Sequence, residues 1–391
     1  MWLGACASTI GTFVQQFAQS WLVYDLTKDA FYLGLDLFLG QLPIILFSLV
    51  GGVFADRMDR RKMLLGSQYI QMTCAFALAA LFFTHRVEIW QILSLSFVVG
   101  VGQSFGGPAY SALLPTLVPA EDLTNAIAMN SIQFNLARVL GPALGGLTYA
   151  TVGATWCFTL NGLSFLAVIA SLMMIQVKFI PQKSKETILK SMKVGLAFIR
   201  QREGLSALVF LAFFTTLLGF SLTSFLPVIV QTVFHSGPQT YQLLLVSSGA
   251  GSIVGALAVA ASEKLKEHGH MVLLTLIGLG AAITGFALSK WLLLSCLLIF
   301  LSGVTMMASA SLMLSLAQLI VSDQMRGRVM SVYNLAFRLG IPLGALALGK
   351  LIPIFGVSTA LASSGIVLIG VASYFIFIMR RVAMFQRVAA K

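Results

Sequence analysis

Apolar residues fill long runs of this chain, at 2–24, 33–55, 63–84, 91–113, 126–151, 158–178, 206–234, 243–262, 271–289, 292–319, 329–352 and 357–379. A run of about 20 apolar residues spans the hydrocarbon core of a bilayer as a helix, with every backbone N–H and C=O paired inside the segment. A barrel strand needs only about 10 residues. Turn signals divide the runs: Thr27-Lys28-Asp29, His85-Arg86, Pro119-Ala120-Glu121-Asp122 and Ser236-Gly237-Pro238. The pattern predicts an all-α integral membrane protein with twelve transmembrane helices. Residues 1–24 lack a basic leader and a small-residue cleavage site, so the first run reads as a span rather than a cleaved signal.

One connection departs from this pattern. Between 180 and 205, Lys183, Lys185, Lys190, Lys193, Arg200 and Arg202 alternate with Ile188, Met192, Leu196 and Ile199, which predicts an amphipathic helix on the inner leaflet. It separates an N-terminal bundle (1–179) from a C-terminal bundle (206–391) with a short basic tail. The halves repeat: at an offset of 200 residues, Ser131 matches Ser331, Arg138 matches Arg338 and Pro142 matches Pro342.

Charge orients the spans. The net charge is +12, yet only 10% of residues are charged against 58% apolar, whereas soluble domains carry about 25% charged residues. Nineteen of the 25 lysines and arginines fall in alternate connections and the C-terminal tail. That asymmetry places both termini in the cytoplasm of a multi-pass protein of the cell inner membrane, and argues against nucleic acid as partner. Cys6, Cys74, Cys157 and Cys296 lie scattered in apolar runs, and His85, His235, His268 and His270 in loops or at span ends. Neither set has metal-ligand spacing.

Between the second and third runs lies Gly51-Gly52-Val53-Phe54-Ala55-Asp56-Arg57-Met58-Asp59-Arg60-Arg61-Lys62-Met63-Leu64. Read alone it is a stop-transfer turn, with glycines that let another helix approach. Gly52, Asp56, Arg57, Arg60 and Arg61 resemble the loop joining the second and third helices of the major facilitator superfamily. The sequence departs from that pattern at Asp59, where glycine is common. In the fifth run, Gly141, Pro142, Gly145 and Gly146 resemble the antiporter motif of exporters, with Ala137 for its first glycine. The chain thus resembles the exporter branch that includes enterobactin and multidrug efflux proteins. The resemblance implies two pseudo-symmetric six-helix bundles with a substrate site near mid-membrane. It also implies alternating access gated by the 51–64 loop. Relatives usually carry a basic leader, so Met1 reads as a truncated or alternative start.

Polar residues inside the spans are the candidate chemistry. Thr12, Gln15, Gln16 and Gln19 share one helical face, which serves interhelical hydrogen bonding or lines a cavity. Arg138 shares a face with Ser131 and Asn135, and Arg338 with Ser331 and Asn334; each arginine either ties helix ends together or meets substrate. Asp36 is the carboxylate inside an apolar run: a proton-coupling candidate or an interfacial, solvated acid. Phe213, Phe214, Phe220, Phe225, Met306, Met307 and Met313 form an adaptable wall or a lipid face. No Walker-type loop is present, so ATP is not the expected driver.

These readings converge on a secondary transporter, not an enzyme, without cofactor or metal. It acts as a monomer that exports a small amphipathic molecule, a drug-like compound or siderophore, by proton antiport across the lipid bilayer. An importer or uniporter of a polar nutrient and a non-transporting membrane scaffold are the alternatives.

Overall fold

The computed structural model describes residues 2–175, 188–261 and 269–379. Because lipid offers the backbone no hydrogen bonds, the apolar runs close their own, and no strand occurs among the described residues. The helices are α1 (Trp2–Thr27), α2 (Ala30–Arg57), α3 (Arg60–Phe83), α4 (Ile89–Leu113), α5 (Leu123–Val152), α6 (Ala154–Met174), α7 (Ile188–Arg200), α8 (Glu203–Leu218), α9 (Leu226–Thr232), α10 (Pro238–Ala261), α11 (Gly269–Leu288), α12 (Leu292–Ile320), α13 (Asp323–Phe355) and α14 (Val357–Met379). Among the described residues ten helical segments are long and apolar enough to cross a membrane. The first and fifth expected spans, α1 and α5, are helices outside that set, both carrying several polar residues.

Short polar residues start the helices where the turns were expected. Asp29 caps α2 by accepting from the N–H of Phe31 at 2.9 Å, and Asp59 caps α3 by accepting from that of Arg61 at 2.9 Å. Asp59 therefore has a local function at the position where it departs from the superfamily pattern. Gly153 and Gly356 close α5 and α13 at φ 89° and 81°, a conformation that disfavours side chains.

The seventh expected span is interrupted. After α8 the chain tightens into a 3₁₀ turn over Phe220–Phe225, and α9 restarts with Pro227 in its first turn. Of the residues read as an adaptable wall or a lipid face, Phe225, Met306 and Met313 are buried and so face the interior. In the linker, α7 packs on α13, with Gly195 against the Arg328 carbonyl and Ile199 buried. Lys183, Lys185 and the basic tail lie outside the described residues.

Two compact units result. One lies within Met1–Lys185 together with Ser236–Val246, the other within Glu186–His235 together with Ser247–Lys391. In the first, α2 packs along α4, α3 on α4 and α6, and α1 on α5 and α6. In the second, α8 packs on α13, and α11 on α12 and α14.

Candidate functional site

The first unit holds a chain of polar side chains across four helices. Asn161 of α6 donates to Gln15 of α1 at 2.7 Å, and Gln15 donates to Gln19, one turn along, at 3.3 Å. Gln19 Nε2 donates to Asp36 Oδ2 of α2 at 2.8 Å and to Ser96 Oγ of α4 at 2.9 Å, while Ser96 donates to Asp36 Oδ1 at 2.5 Å. Both oxygens of Asp36 thus accept, the arrangement an ionised carboxylate prefers. Of the expected residues, Gln15, Gln19 and Asp36 come together here, and the half-buried Asp36 is integrated rather than isolated. Gln16 points away and is exposed. Ser96 and Asn161 were missed from sequence, because a lone serine or asparagine in an apolar helix commonly bonds its own backbone.

On α5, Asn135 and Arg138 are half-buried and form a separate cluster. Asn135 Nδ2 donates to the Ser131 carbonyl at 2.9 Å. The Arg138 guanidinium lies 5.3 Å from the centroid of the Phe134 ring, which meets Phe13 of α1 edge-on at 5.6 Å. Arg138 Nη1 and Asn135 Oδ1 are buried without hydrogen-bond partners. Of the acids near the helix ends, Asp323 pairs with Arg326 at 2.7 Å, and the side chain of Asp56 lies outside the described residues. In the second unit Arg338 is exposed and takes no part in either cluster.

The antiporter-type residues face their neighbours closely. Gly141 and Gly145 abut Phe13 and Phe17 of α1, and Pro142 is buried beside them. Gly146 abuts Gln242, whose Nε2 donates to the Ala143 carbonyl at 2.7 Å. Tyr241 stacks on Phe17 at 4.8 Å and on Trp21 at 5.9 Å, all within the first unit.

The basic turn after α2 fastens helix ends. Arg60 donates to the carbonyls of Ala55 and Ala112, at 3.1 and 3.0 Å. Arg61 donates to those of Leu172 and Met173, both at 2.7 Å. These carbonyls belong to final helical turns, where partners inside the helix run out. Arg57 is exposed. Gly51 is the glycine in close approach, against the Ser104 backbone of α4, whereas Gly52 faces open space. Among the described residues no His, Cys, Asp and Glu group could hold a metal.

Comparison with known proteins completes the picture. Residues 1–390 match the family model described as transmembrane secretion effector. Macrolide efflux protein A of Streptococcus pyogenes is 24% identical over 95% of this chain and 93% of its own length. The staphyloferrin A transporter of Staphylococcus aureus is 26% identical over 95% and 94%. The enterobactin exporter EntS of Citrobacter koseri is 25% identical over 88% and 83%. Among solved structures, a bacterial homologue of the human lysosomal transporter Spinster aligns with a TM-score of 0.73 at 14% identity, covering 99% of this chain and 97% of that one. A bacterial homologue of the iron transporter ferroportin aligns with a TM-score of 0.67 at 15% identity, covering 95% and 97%. The chain belongs to the transmembrane secretion effector family of the major facilitator superfamily.

Proposed function

We propose that this protein is a secondary active exporter of a small amphipathic molecule, working by alternating access with inward proton movement as the driver. Relatives named for macrolide efflux and for enterobactin export support the direction. With α1 and α5 included, the chain makes twelve crossings in two bundles, 1–179 and 206–391, joined by 180–205. Both termini lie in the cytoplasm, and the chain acts as a monomer in the inner membrane.

The observation that carries the coupling is the Asp36 network. A proton arriving at Asp36 makes one accepting oxygen a donor, so the bond with Ser96 or with Gln19 must reverse direction or be remade. If Gln19 turns its amide, Gln15 and Asn161 must re-pair in sequence. Protonation on α2 is thereby felt on α1, α4 and α6. Arginine cannot serve as the carrier, because its charge is permanent. The turn bearing Gly52, Asp56, Arg57, Arg60 and Arg61 gates the cytoplasmic side, with Arg60 and Arg61 holding α4 and α6 to it as one body.

The test uses inverted membrane vesicles with an acidic interior and two xanthene dyes, carboxyfluorescein and rhodamine 6G. Native protein is expected to accumulate dye and to lose it on addition of a protonophore. Asp36→Asn is expected to bind dye but accumulate about tenfold less, a barrier change of about 1.4 kcal/mol. Accumulation indifferent to the gradient, or undiminished in Asp36→Asn, refutes the coupling.

A further inference from the structure

We propose that Arg138 recognises an oxyanion on the substrate while Asn135 Oδ1 accepts from a donor beside it, with the rings of Phe13 and Phe134 alongside. The transported class is then an anionic amphiphile, carrying a carboxylate with a hydroxyl or amide donor beside it, rather than an organic cation. This rests on the transporter reading above and goes beyond it by naming the substrate class.

Three observations carry the inference. First, Arg138 Nη1 and Asn135 Oδ1 are a donor and an acceptor, both buried and both without a partner. Buried polar atoms are almost always paired, so such a couple marks a position that a ligand or water fills. At three residues apart on α5 the two share a helical face, and the bond from Asn135 Nδ2 to the Ser131 carbonyl commits the amide's orientation. Second, the local charge suits an anion. Thirteen acids are present, and within the described helices all but Asp36 sit in terminal turns. Asp36 has both oxygens occupied by Ser96 and Gln19. Away from the terminal turns of the described helices, a cationic substrate meets no carboxylate but Asp36, already bonded to Ser96 and Gln19, whereas an anionic one meets a guanidinium whose charge is costly to leave unpaired in a membrane. Third, the arginine is backed by an aromatic step. Phe134 lies 5.3 Å from its guanidinium carbon and Phe13 is edge-on to Phe134, which offers apolar contact beside the charge.

The experiment measures binding of carboxyfluorescein and rhodamine 6G to the full-length protein in detergent, and their movement in the inverted vesicles. Native protein is expected to bind carboxyfluorescein at least about tenfold more tightly than rhodamine 6G, the scale of one charge-assisted contact. Arg138→Gln is expected to erase that preference by weakening carboxyfluorescein about tenfold, and Arg138→Lys to restore part of it, since lysine keeps the charge but not the planar fork. If Arg138→Gln fails to fold, native protein still decides the matter: decanoate should displace carboxyfluorescein and decyltrimethylammonium should not. Tighter binding of rhodamine 6G, equal displacement by the two amphiphiles, or an Arg138→Gln variant with native preference overturns the inference. Transport of rhodamine 6G alone defeats the anion class and leaves the transporter reading standing; movement of neither dye defeats both.

Discussion

On α5, Gly141 and Gly145 admit α1 at Phe13 and Phe17; on α13, Gly340 and Gly344 admit α8 at Thr216 and Leu217. Both helices end at a glycine of positive φ, Gly153 and Gly356. Their polar positions have diverged. Asn135 and Arg138 are half-buried with orphaned atoms, while Asn334 and Arg338 are exposed. Gln133 donates to Thr9 at 2.7 Å, whereas its counterpart Tyr333 carries a buried hydroxyl without a partner. The repeat has kept the contacts that bring backbones together and let the polar chemistry specialise in one half, as expected if packing glycines are constrained by sterics and side chains by function.

The largest effect should come from breaking what the two helices share. A methyl group on Gly141 would collide with Phe13 Cβ, and one on Gly344 with the Leu217 carbonyl oxygen. Gly141→Ala and Gly344→Ala should each cost about 3 kcal/mol, at the upper end for overpacking, while Gly52→Ala, which meets no atom, should stay within about 0.5 kcal/mol. Thermal unfolding in detergent followed by circular dichroism measures all three. If one of the first two variants melts as the native protein does, the packing equivalence of the halves is lost.

The arginines are the sharpest functional contrast. Arg138→Gln should lower transport about tenfold, and Arg338→Gln by less than about threefold, since about 1.4 kcal/mol separates a tenfold change in rate. Initial rates in inverted vesicles, normalised to folded protein, provide the comparison. Equal losses would show that the exposed arginine does the same work as the half-buried one.

How much of this was legible in the chain differs by residue. The repeat was visible because Arg138 and Arg338 occupy matching positions, and the helices because long apolar runs have few other solutions in a bilayer. The different burial of the two arginines was not, because it depends on which neighbours cover each face. Gln15 and Gln19 announced a polar face on α1, but their union with Asp36 required α1, α2 and α4 to be placed together. Ser96 gave no signal within an apolar helix. The interruption at Phe220–Phe225 was hidden in a continuously apolar run, although Gly219 and Pro227 bracket it. Gly51 and Gly52 looked alike in sequence, and only the approach of α4 to one of them tells them apart.

A smaller effect tests the divergence at Gln133 and Tyr333, five residues before the arginines. Gln133→Met keeps length and apolar volume but removes the bond to Thr9. Thr9 keeps its own bond to the Ala5 carbonyl at 2.8 Å, so no new buried donor is orphaned. The expected cost is at most about 1 kcal/mol, the net worth of one neutral hydrogen bond, because the change also removes Gln133 Oε1, which is buried without a partner. Urea unfolding in mild detergent would measure it, and a loss of several kcal/mol would mean that Gln133 joins a larger network than Thr9 alone.

Tyr333→Phe should have the smallest effect and the opposite sign. The Tyr333 ring stacks at 6.4 Å on Phe337, which meets Phe220 edge-on at 5.4 Å. Phenylalanine keeps every one of those ring contacts. What it removes is a hydroxyl that is buried without a partner, and a polar group taken out of water without compensation is a net cost to folding. The variant should therefore match the native protein or exceed it by up to about 1 kcal/mol, with transport unchanged. Gln133 differs because its amide repays part of its burial through Thr9. Destabilisation of Tyr333→Phe by more than about 1 kcal/mol would show that the hydroxyl has a partner in the folded protein. A transport defect at native stability would instead place Tyr333 among the groups that meet substrate, and the second half would then carry polar chemistry of its own at the position where the first half uses Gln133.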